Sequence, residues 1–423
     1  MYSALRQLFD CLVTAGNLRV VDTYGRAYSF GDGRGAPLTV RLADKKLEYQ
    51  LSFNPALSLG EAYMNGRLQI EGGTIYDFLE LMLAHSDPGR FPIWLKIGYR
   101  MRELTKRLQQ HNPEHRSRRN VAHHYNIDGA IYDLFLDADR QYSCAYFEHE
   151  GQGLEAAQQA KKQHLAAKLH LSDGQKILDI GSGWGGLGLY LARCADVSVT
   201  GVTLSEEQLE ISRSRAQKLG LARSADFRLC DYRHLQGSYD RIVSVGMFEH
   251  VGIGHYKNFF SKINDLLADD GVAVLHSIGR LDGPGATNPF IAKYIFPGGY
   301  IPALSEVIPA IERSGLLMTD IEILRLHYAD TLRHWRTRFL ANRDRAAMLL
   351  GDRFCRMWEF YLAGSETAFR YENLMVFQIQ MAKEQTALPL TRDYMHVEES
   401  RLRSHSRAVA ELPRLADGSS GRH

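Results

Sequence analysis

The chain has 423 residues, enough for roughly two or three domains that each bury their own core, and its formal net charge of +2 argues against a dedicated nucleic-acid binder. Its five cysteines show no paired spacing, which fits a reducing compartment and offers no motif for zinc or another metal. No apolar run approaches about 18 residues, and the N-terminus lacks the features of a signal peptide, so we expect a cytoplasmic protein without spanning helices.

Residues 1–110 are predicted to form a small α+β module. The stretches Leu18–Val21 and Leu38–Leu42 are short and alternate in polarity, as strands do, and residues 76–83 have the apolar spacing of an amphipathic helix. The module contains no combination of residues that suggests catalysis.

A cation-rich run covers residues 91–120, in which Glu103 and Glu114 are the only acids. Apolar residues lie among the cations, as in a helix that rests on an anionic bilayer surface. A solvated linker helix is the alternative interpretation. Residues 111–120 are polar and contain a proline, and this part is predicted to be a linker between domains.

Beyond residue 120, apolar strands alternate with helices in the rhythm of a doubly wound parallel sheet. We therefore predict an α/β domain over residues 121–390. The charged segment 391–423 is predicted to be a disordered tail.

The most informative stretch of this domain is a short apolar strand, residues 176–180, that runs into a glycine-rich turn with Gly181 and Gly183. Asp179 lies inside the strand, where a carboxylate is costly unless it orders the turn or faces a cationic ligand. The next strand, 197–205, ends in hydroxyls and not in the acid that a nicotinamide dinucleotide site requires. The pattern favours an S-adenosylmethionine (SAM) methyltransferase over a dehydrogenase; a purely structural turn is the remaining alternative.

Polar residues follow three later strands of the predicted sheet. Glu249 and His250 come directly after one strand, and His276 lies at the end of the next. Because the carboxyl ends of parallel strands meet in one crevice, an acid and an imidazole can meet beside the glycine turn. A histidine satisfied within the core is the alternative. Asp231 lies where an adenine amino group would bind, but an exposed turn acid is an equally good interpretation.

Two further segments suggest an apolar site. Residues 284–302 are rich in glycine, proline and aromatic residues, which is typical of a lid. Two predicted helices between residues 332 and 369 carry aromatic side chains at helical intervals, and these form either core packing or an acyl-chain pocket. They are Trp335, Phe339, Phe354, Trp358, Phe360 and Tyr361.

Seven separated stretches carry a resemblance to a known family: residues 124–127, 141–147, 178–186, 202–208, 246–252, 276–279 and 327–328. In this order they resemble the cyclopropane fatty acid and mycolic acid cyclopropane synthases, which use SAM. The resemblance covers about residues 121–385, and the N-terminal module is similar to that of the bacterial phospholipid-modifying branch. It implies a Rossmann-like class I SAM methyltransferase domain with a smaller N-terminal α+β domain.

The resemblance also implies a reaction and its site. A methyl group is transferred from SAM to a cis double bond of a phospholipid acyl chain, and a bound bicarbonate takes a proton as the ring closes. The bicarbonate site maps to Cys144, Glu249, His276, Ile278 and Tyr328. The cofactor contacts map to Tyr142, Ser143, Asp179, Gly181, Gly183, Thr203, Leu204, Ser205, Gln208, Asp231 and Tyr232. Implied partners are unsaturated phospholipids, the anionic inner face of a membrane and a second copy of the chain.

The sequence departs from the family pattern in two places. Ser365 stands where members of the bacterial branch often carry a cysteine, so no thiol nucleophile exists there. Asn126 and Ile127 replace the usual Asp and small residue of the first motif. Two alternatives to cyclopropanation stay open: a methyltransferase that gives a methyl-branched or methylene chain, and a lipid-binding protein without turnover.

Overall fold

The computed structural model of the protein describes residues 1–85, 89, 91–109 and 129–411. The first family motif, residues 124–127, and the predicted linker, residues 111–120, therefore lie outside the described residues. The predicted domain boundary near residue 110 stays a prediction for the same reason.

The N-terminal part contains a four-stranded sheet covered by helices. Its strands have the spatial order β2-β1-β3-β4, in which only the central pair β1 and β3 is parallel. The predicted strands at residues 18–21 and 38–42 and the helix at residues 76–83 are present. The elements in chain order are α1 (Ser3–Leu12), β1 (Leu18–Val21), β2 (Ala27–Phe30), β3 (Leu38–Leu42), α2 (Lys45–Phe53), α3 (Pro55–Met64), β4 (Leu68–Glu71), α4 (Ile75–Leu83) and α5 (Ile93–Gln109).

The second part is built on a seven-stranded sheet with the order β10-β11-β9-β8-β5-β6-β7. Its strands are β5 (Lys176–Ile180), β6 (Ser198–Thr203), β7 (Ala225–Leu229), β8 (Tyr239–Val245), β9 (Leu267–Arg280), β10 (Leu317–Leu324) and β11 (Leu374–Ala382). The strands β5 to β9 pair in parallel, which confirms the predicted doubly wound sheet. The antiparallel β11 and its edge neighbour β10 were not predicted.

The helices of this part flank the sheet and build a cap over one end of it. The predicted pair of aromatic helices is present as α12 and α13. The helices are α6 (Leu154–Leu169), α7 (Gly186–Cys194), α8 (Glu206–Lys218), α9 (Tyr256–Leu266), α10 (Pro289–Tyr294), α11 (Leu304–Glu312), α12 (His327–Ala341), α13 (Arg343–Tyr371) and α14 (Asp393–Glu411).

The N-terminal module and the cap helices share one hydrophobic core. Buried side chains of α1, α3 and α4 belong to the same apolar cluster as those of α12 and α13. At Gly60 of α3 an added Cβ would lie 2.4 Å from Phe290 of α10, so only glycine permits this close contact. Tyr63 of the same helix donates to Glu359 of α13 at 2.7 Å. The N-terminal module is thus packed against the cap through both apolar and polar contacts.

The predicted disordered tail is wrong over residues 393–411, which form α14. This helix packs along α6, with Met395 and Leu402 buried. Its Glu399 accepts from His164 Nδ1 of α6 at 2.5 Å. The charged composition suggested disorder because this contact joins residues 235 positions apart in sequence, which a local pattern does not show. Residues 412–423 lie outside the described part of the chain.

Candidate active site

A cavity of about 430 Å³ opens where β5 and β8 lie side by side. From β5 the chain proceeds to β6 and β7 on one side, whereas β8 leads to β9 on the other, so this is the topological switch point of the sheet. Open α/β sheets bind their ligands in this position, outside the carboxyl ends of the strands. The cavity is therefore the candidate binding site of the α/β domain.

The glycine turn after β5 forms one wall of this cavity, and two of its glycines are required by geometry. Gly181 and Gly185 both have φ of +82°, a left-handed conformation that favours glycine. A Cβ at Gly181 would also lie 2.9 Å from Met247, and one at Gly185 would lie 2.8 Å from Ser212. The turn leads directly into α7, whose N-terminus suits an anionic group.

The residues assigned to the cofactor gather around the cavity. All of them except Ser205 line it; the lining members are Tyr142, Ser143, Asp179, Gly181, Gly183, Thr203, Leu204, Gln208, Asp231 and Tyr232. Ser205 instead caps α8, accepting a hydrogen bond from the Gln208 backbone at 3.3 Å. The assigned contacts thus share one surface, and Ser205 shapes that surface without facing the cavity.

Asp179 is the buried acid of the cavity wall. Its Oδ2 has no hydrogen-bond partner among the described residues. Burial raises the pKa of Asp179 to about 7, against a smaller lowering effect of the Lys161 ammonium. An unpaired carboxylate oxygen facing a cavity is a fitting partner for a cationic ligand group, such as the ammonium or the sulfonium of SAM.

The opposite side of the cavity carries hydroxyl, amide and acidic groups. Thr203 Oγ1 donates to Gln208 Oε1 at 2.7 Å, which orients the Gln208 amide. Asp231 accepts two bonds from the Arg233 guanidinium, at 2.9 and 2.6 Å. Burial works to raise the pKa of Asp231, but the hydrogen bonds from Arg233 outweigh it and leave the pKa below its ordinary value. Arg233 therefore already binds the carboxylate that the resemblance assigns to the adenine end of the cofactor.

Several cavity residues were not assigned from the sequence: Arg140, Gln141, Trp184, Met247, His250, His255 and Asn258. Gln141, Trp184 and His250 lie inside the motifs, next to residues that were assigned, so their positions were a usable signal. Burial lowers the pKa of His250 to about 4, so its imidazole is neutral. His255 and Asn258 lie at the start of α9, after β8, and reach the cavity only because of how the chain folds back there. No local sequence pattern indicated this.

Behind this wall, Glu249 is bound to the sheet. Its Oε1 accepts the backbone N–H of Ile278 at 2.7 Å, while Oε2 is buried without a hydrogen-bond partner in the described part of the chain. Burial raises the pKa of Glu249 above its ordinary value, and the bond from Ile278 opposes this shift. The raised pKa shifts Glu249 toward the protonated form, in which Oε2 is a donor.

His276 lies two residues before Ile278 on β9, on the same face. The Gln378 amide of β11 donates to its Nδ1 at 3.1 Å, which leaves the proton on Nε2. This Nε2 is buried and has no partner among the described residues. Burial keeps the pKa of His276 well below its ordinary value, so the ring is a neutral N–H donor.

Backbone contacts connect His276 with the cavity wall and connect the segment of Cys144 with α12. The carbonyl of His276 accepts from the Gly246 N–H, and a Cβ added at Gly246 would lie 3.9 Å from the Ser143 Cβ. The residue after Cys144, Ala145, donates its backbone N–H to Thr331 of α12 at 3.0 Å. Burial raises the pKa of the Cys144 thiol, so it is not a nucleophile. None of the predicted catalytic residues is among the described residues that line the cavity.

Tyr328 begins α12 and packs in an aromatic cluster. Its ring lies edge-on to Trp335 at 5.7 Å and against Phe369 at 4.9 Å. Trp335 stacks on Tyr142 of the cavity wall at 5.2 Å, and the Tyr142 hydroxyl is 2.9 Å from that of Tyr361. The aromatic side chains of α12 and α13 thus belong to a buried core cluster, as the core-packing interpretation expects, and this cluster reaches the wall of the cofactor cavity at Tyr142.

Ser365 is half-buried on α13 and is not part of the cavity lining. The neighbouring Glu366 is fully buried and bound to Arg336 and Arg370, at 2.9 and 3.2 Å. A Cβ added at the preceding Gly364 would lie 3.9 Å from Leu79 of α4, so this part of α13 packs against the N-terminal module.

The sheet order, the glycine turn and the cavity at the switch point define a class I SAM-dependent methyltransferase. The family model for mycolic acid cyclopropane synthetase matches residues 112–379, well over half of the chain. The chain belongs to this family, the cyclopropane synthases and related fatty-acid methyltransferases, and SAM is its methyl donor.

Individual relatives agree with this assignment. The chain is 36% identical to a probable fatty acid methyltransferase of Pseudomonas putida over 87% of this chain and 93% of that protein. It is 34% identical to the cyclopropane-fatty-acyl-phospholipid synthase of Escherichia coli K12, over 82% of this chain and 88% of the other.

A solved structure is also similar. The mycolic acid cyclopropane synthase CmaA1, in complex with SAH and CTAB, superposes with a TM-score of 0.60 at 33% identity. The match covers 64% of this chain and 98% of that one, so part of this chain has no counterpart there.

Proposed function

We propose that the protein is a cyclopropane-fatty-acyl-phospholipid synthase, which adds the SAM methyl group to a cis double bond of a phospholipid acyl chain and closes the ring with bicarbonate as base. The observation that carries this proposal is that Glu249 Oε2 and His276 Nε2 are both buried without a hydrogen-bond partner among the described residues. Both residues are next to the cofactor cavity, because Glu249 lies between the lining residues Met247 and His250, and the His276 carbonyl accepts from the lining residue Gly246. Buried polar atoms without partners call for a ligand.

The chemistry of this pair fits a small oxyanion. Neutral His276 offers an N–H, and Glu249, when protonated, offers an O–H where an ionised carboxylate would repel a second anion. When bound, bicarbonate supplies the base that removes a proton from the transferred methyl group. Glu249 and His276 would orient it, and the Tyr328 hydroxyl is a third candidate donor.

The aromatic cluster beside the cavity fits the acyl chain. Methyl transfer breaks the S–CH₃ bond, forms a C–C bond to the olefin and leaves a carbocation on the neighbouring carbon. Loss of one proton from the new methyl group forms the second C–C bond of the ring, and SAH leaves. Tyr142, Trp335 and Tyr361 exclude water, which would otherwise capture the cation.

We further propose that α5 holds the protein on an anionic membrane, where its substrate resides. Ile93, Ile97 and Met101 recur every four residues and are 72%, 57% and 57% exposed, and Lys96 and Arg100 flank this stripe. Apolar side chains beside cations suit an anionic lipid surface. No helix of the described residues is both long and apolar enough to cross a bilayer. A homodimer, which light scattering would detect, would add avidity for the membrane.

The proposal is tested with SAM that carries a CD₃ group and with vesicles of monounsaturated phosphatidylglycerol. Ring closure loses one deuterium, so the acyl chain gains the mass of CD₂, and proton NMR shows cyclopropyl signals. An olefin left intact by folded protein in the presence of bicarbonate contradicts the proposal.

A methyl-branched or methylene product is the second candidate, favoured by the similarity to the probable fatty acid methyltransferase of Pseudomonas putida. Retention of CD₃ would identify a methyl-branched product. Exocyclic methylene proton signals in a parallel reaction with unlabelled SAM, in place of cyclopropyl ones, would identify a methylene product.

A further inference from the structure

A buried lysine lies directly behind the cofactor cavity. Lys161 is in the middle of α6 and is fully buried. Its ammonium donates to Gln141 Oε1 at 2.5 Å and to Ser143 Oγ at 2.8 Å. Both of these acceptors line the cavity. Lys161 therefore reaches the cofactor site through one layer of side chains.

The same helix holds the backbone of this wall. Gln158, one turn before Lys161, donates to the carbonyls of Gln141 and Ser143 at 3.2 and 2.9 Å. Since Ser143 Oγ accepts a hydrogen bond from the Lys161 ammonium, the serine's own O–H remains to be donated to another group. The cavity is the space that Ser143 faces, so its O–H is available to a ligand acceptor.

The charges around the cavity are distributed unevenly. Asp179 is an acid in the middle of the wall, and Asp231 at the far side is compensated by Arg233. Arg140 lines the rim but is paired with Asp133 at 2.6 Å. SAM carries a carboxylate, an ammonium and a sulfonium. Its carboxylate is repelled near Asp179 and attracted on the side of Ser143, where the buried ammonium lies.

We propose that Lys161 is a positioning residue that makes the enzyme select the carboxylate of SAM and SAH: it orients Ser143 and Gln141 toward this group and supplies the positive charge behind them. The inference rests on SAM as the cofactor and not on the acyl substrate. A binding experiment without the acyl substrate therefore tests the role of Lys161 independently of whether the protein forms a cyclopropane ring.

The charge state of Lys161 agrees with this role. Burial lowers its pKa to about 8, so the ammonium form prevails at neutral pH. Acids raise this pKa and nearby cations lower it. The groups that face Lys161 are Asp137 and Asp139 of the preceding loop, Cys144, Asp179 of β5, His276 of β9 and Lys162 of its own helix.

The test compares two ligands by calorimetry at pH 7: SAH, and S-adenosyl-3-thiopropylamine, which lacks only the carboxylate. Lys161→Met should weaken SAH binding roughly 10- to 100-fold and leave the affinity for the decarboxylated ligand within about threefold. Lys176→Met, at an exposed lysine of β5, is the matched control and should change neither affinity.

An equal loss for both ligands would overturn the proposal, because Lys161 would then only support the fold. If Lys161→Met does not fold, Ser143→Ala replaces it, since this variant removes the group through which the lysine acts. It should show the same selective loss for SAH, and an unselective loss would again contradict the inference.

Discussion

Asp179 lies in the folded chain at an electrostatic cost that a cationic ligand removes. Its carboxylate is buried and its Oδ2 has no partner in the described residues, yet it faces the cofactor cavity. A group whose pKa rises on folding stabilises the protein fully below its unfolded pKa, and this contribution is lost as the pH rises through the folded pKa. For Asp179 the window runs from about pH 4 to about pH 7.

Asp179→Asn therefore predicts two opposite effects. Without ligand, the difference in the free energy of unfolding between the variant and the wild type should increase by roughly 2 to 4 kcal/mol in favour of the variant as the pH rises from 4 to 8. SAH affinity at pH 8 should fall at least about tenfold, because the ammonium of SAH loses its partner. Urea unfolding and calorimetry measure both, with exposed Asp269→Asn as control. Unchanged SAH affinity would contradict the role of Asp179.

Glu249 is the residue on which the proposed ring closure depends most directly. In Glu249→Gln the amide oxygen can still accept the Ile278 N–H, so the fold should persist, while the group that faces the oxyanion changes. We expect turnover to fall about 100-fold or more, with SAH affinity unchanged. Mass spectrometry of the lipid product at fixed times measures turnover, and calorimetry measures SAH affinity. Glu312→Gln, at an exposed acid of α11, should leave both unchanged; turnover equal to the wild type in Glu249→Gln would remove Glu249 from the mechanism.

At the scale of single elements, α5 separates membrane binding from catalysis. Trp94 holds one side of α5 against α2 by donating to the Ser52 carbonyl at 3.1 Å. The apolar stripe of Ile93, Ile97 and Met101 is exposed to solvent. The stripe and its flanking cations are distant from the glycine turn in sequence and belong to a different structural part.

The double variant Ile97→Glu with Met101→Glu should reduce co-sedimentation with phosphatidylglycerol vesicles at least about tenfold, because two acids replace apolar contacts with the lipid. SAH affinity and the unfolding temperature should stay as in the wild type. Met348→Glu, at an 80% exposed apolar residue of α13, is the matched control. Vesicle binding that survives the double variant would place the membrane contact elsewhere.

At the scale of the whole molecule, long-range charge pairs attach the C-terminal helix to the body of the enzyme. His164 of α6 lies between Glu399 of α14 and Glu322 of β10, at 2.5 and 2.7 Å. Burial works to lower the pKa of His164, but the two carboxylates outweigh it and raise the pKa above its ordinary value. The contribution of His164 is therefore fully present below about pH 6.5 and is lost as the pH rises through the raised pKa.

His164→Gln should lower the free energy of unfolding by roughly 1 to 3 kcal/mol at pH 6, since each carboxylate loses one cationic partner, although Glu322 keeps Lys168 and Glu399 keeps Arg403. The difference from the wild type should shrink as the pH rises. Urea unfolding between pH 6 and pH 9 measures this trend, with exposed His149→Gln as control. A difference that is constant over this range would show that His164 acts by packing alone.

The sequence by itself determined the central architecture, because the information was local. The apolar strand before Gly181 and the glycines after it specify a strand, a tight turn and a helix through backbone geometry alone. The strand-end positions of Glu249 and His276 also predicted that an acid and an imidazole would meet at one crevice, since parallel strands have a common carboxyl edge. Neither side chain lines the cavity in the described part of the chain, so this meeting stays a prediction.

Only the tertiary structure decided features that depend on distant partners. The antiparallel β11 supplies Gln378, which fixes the tautomer of His276 across 102 positions of sequence. Nothing in the sequence around Lys161 distinguishes it from an exposed helical lysine, and only the fold buries it behind Ser143. The helix α14 was missed because its packing against α6 and the pairing of Glu399 with His164 depend on residues far away in sequence. Burial and charge pairing are properties of the assembled chain, and no local pattern of residue types contains them.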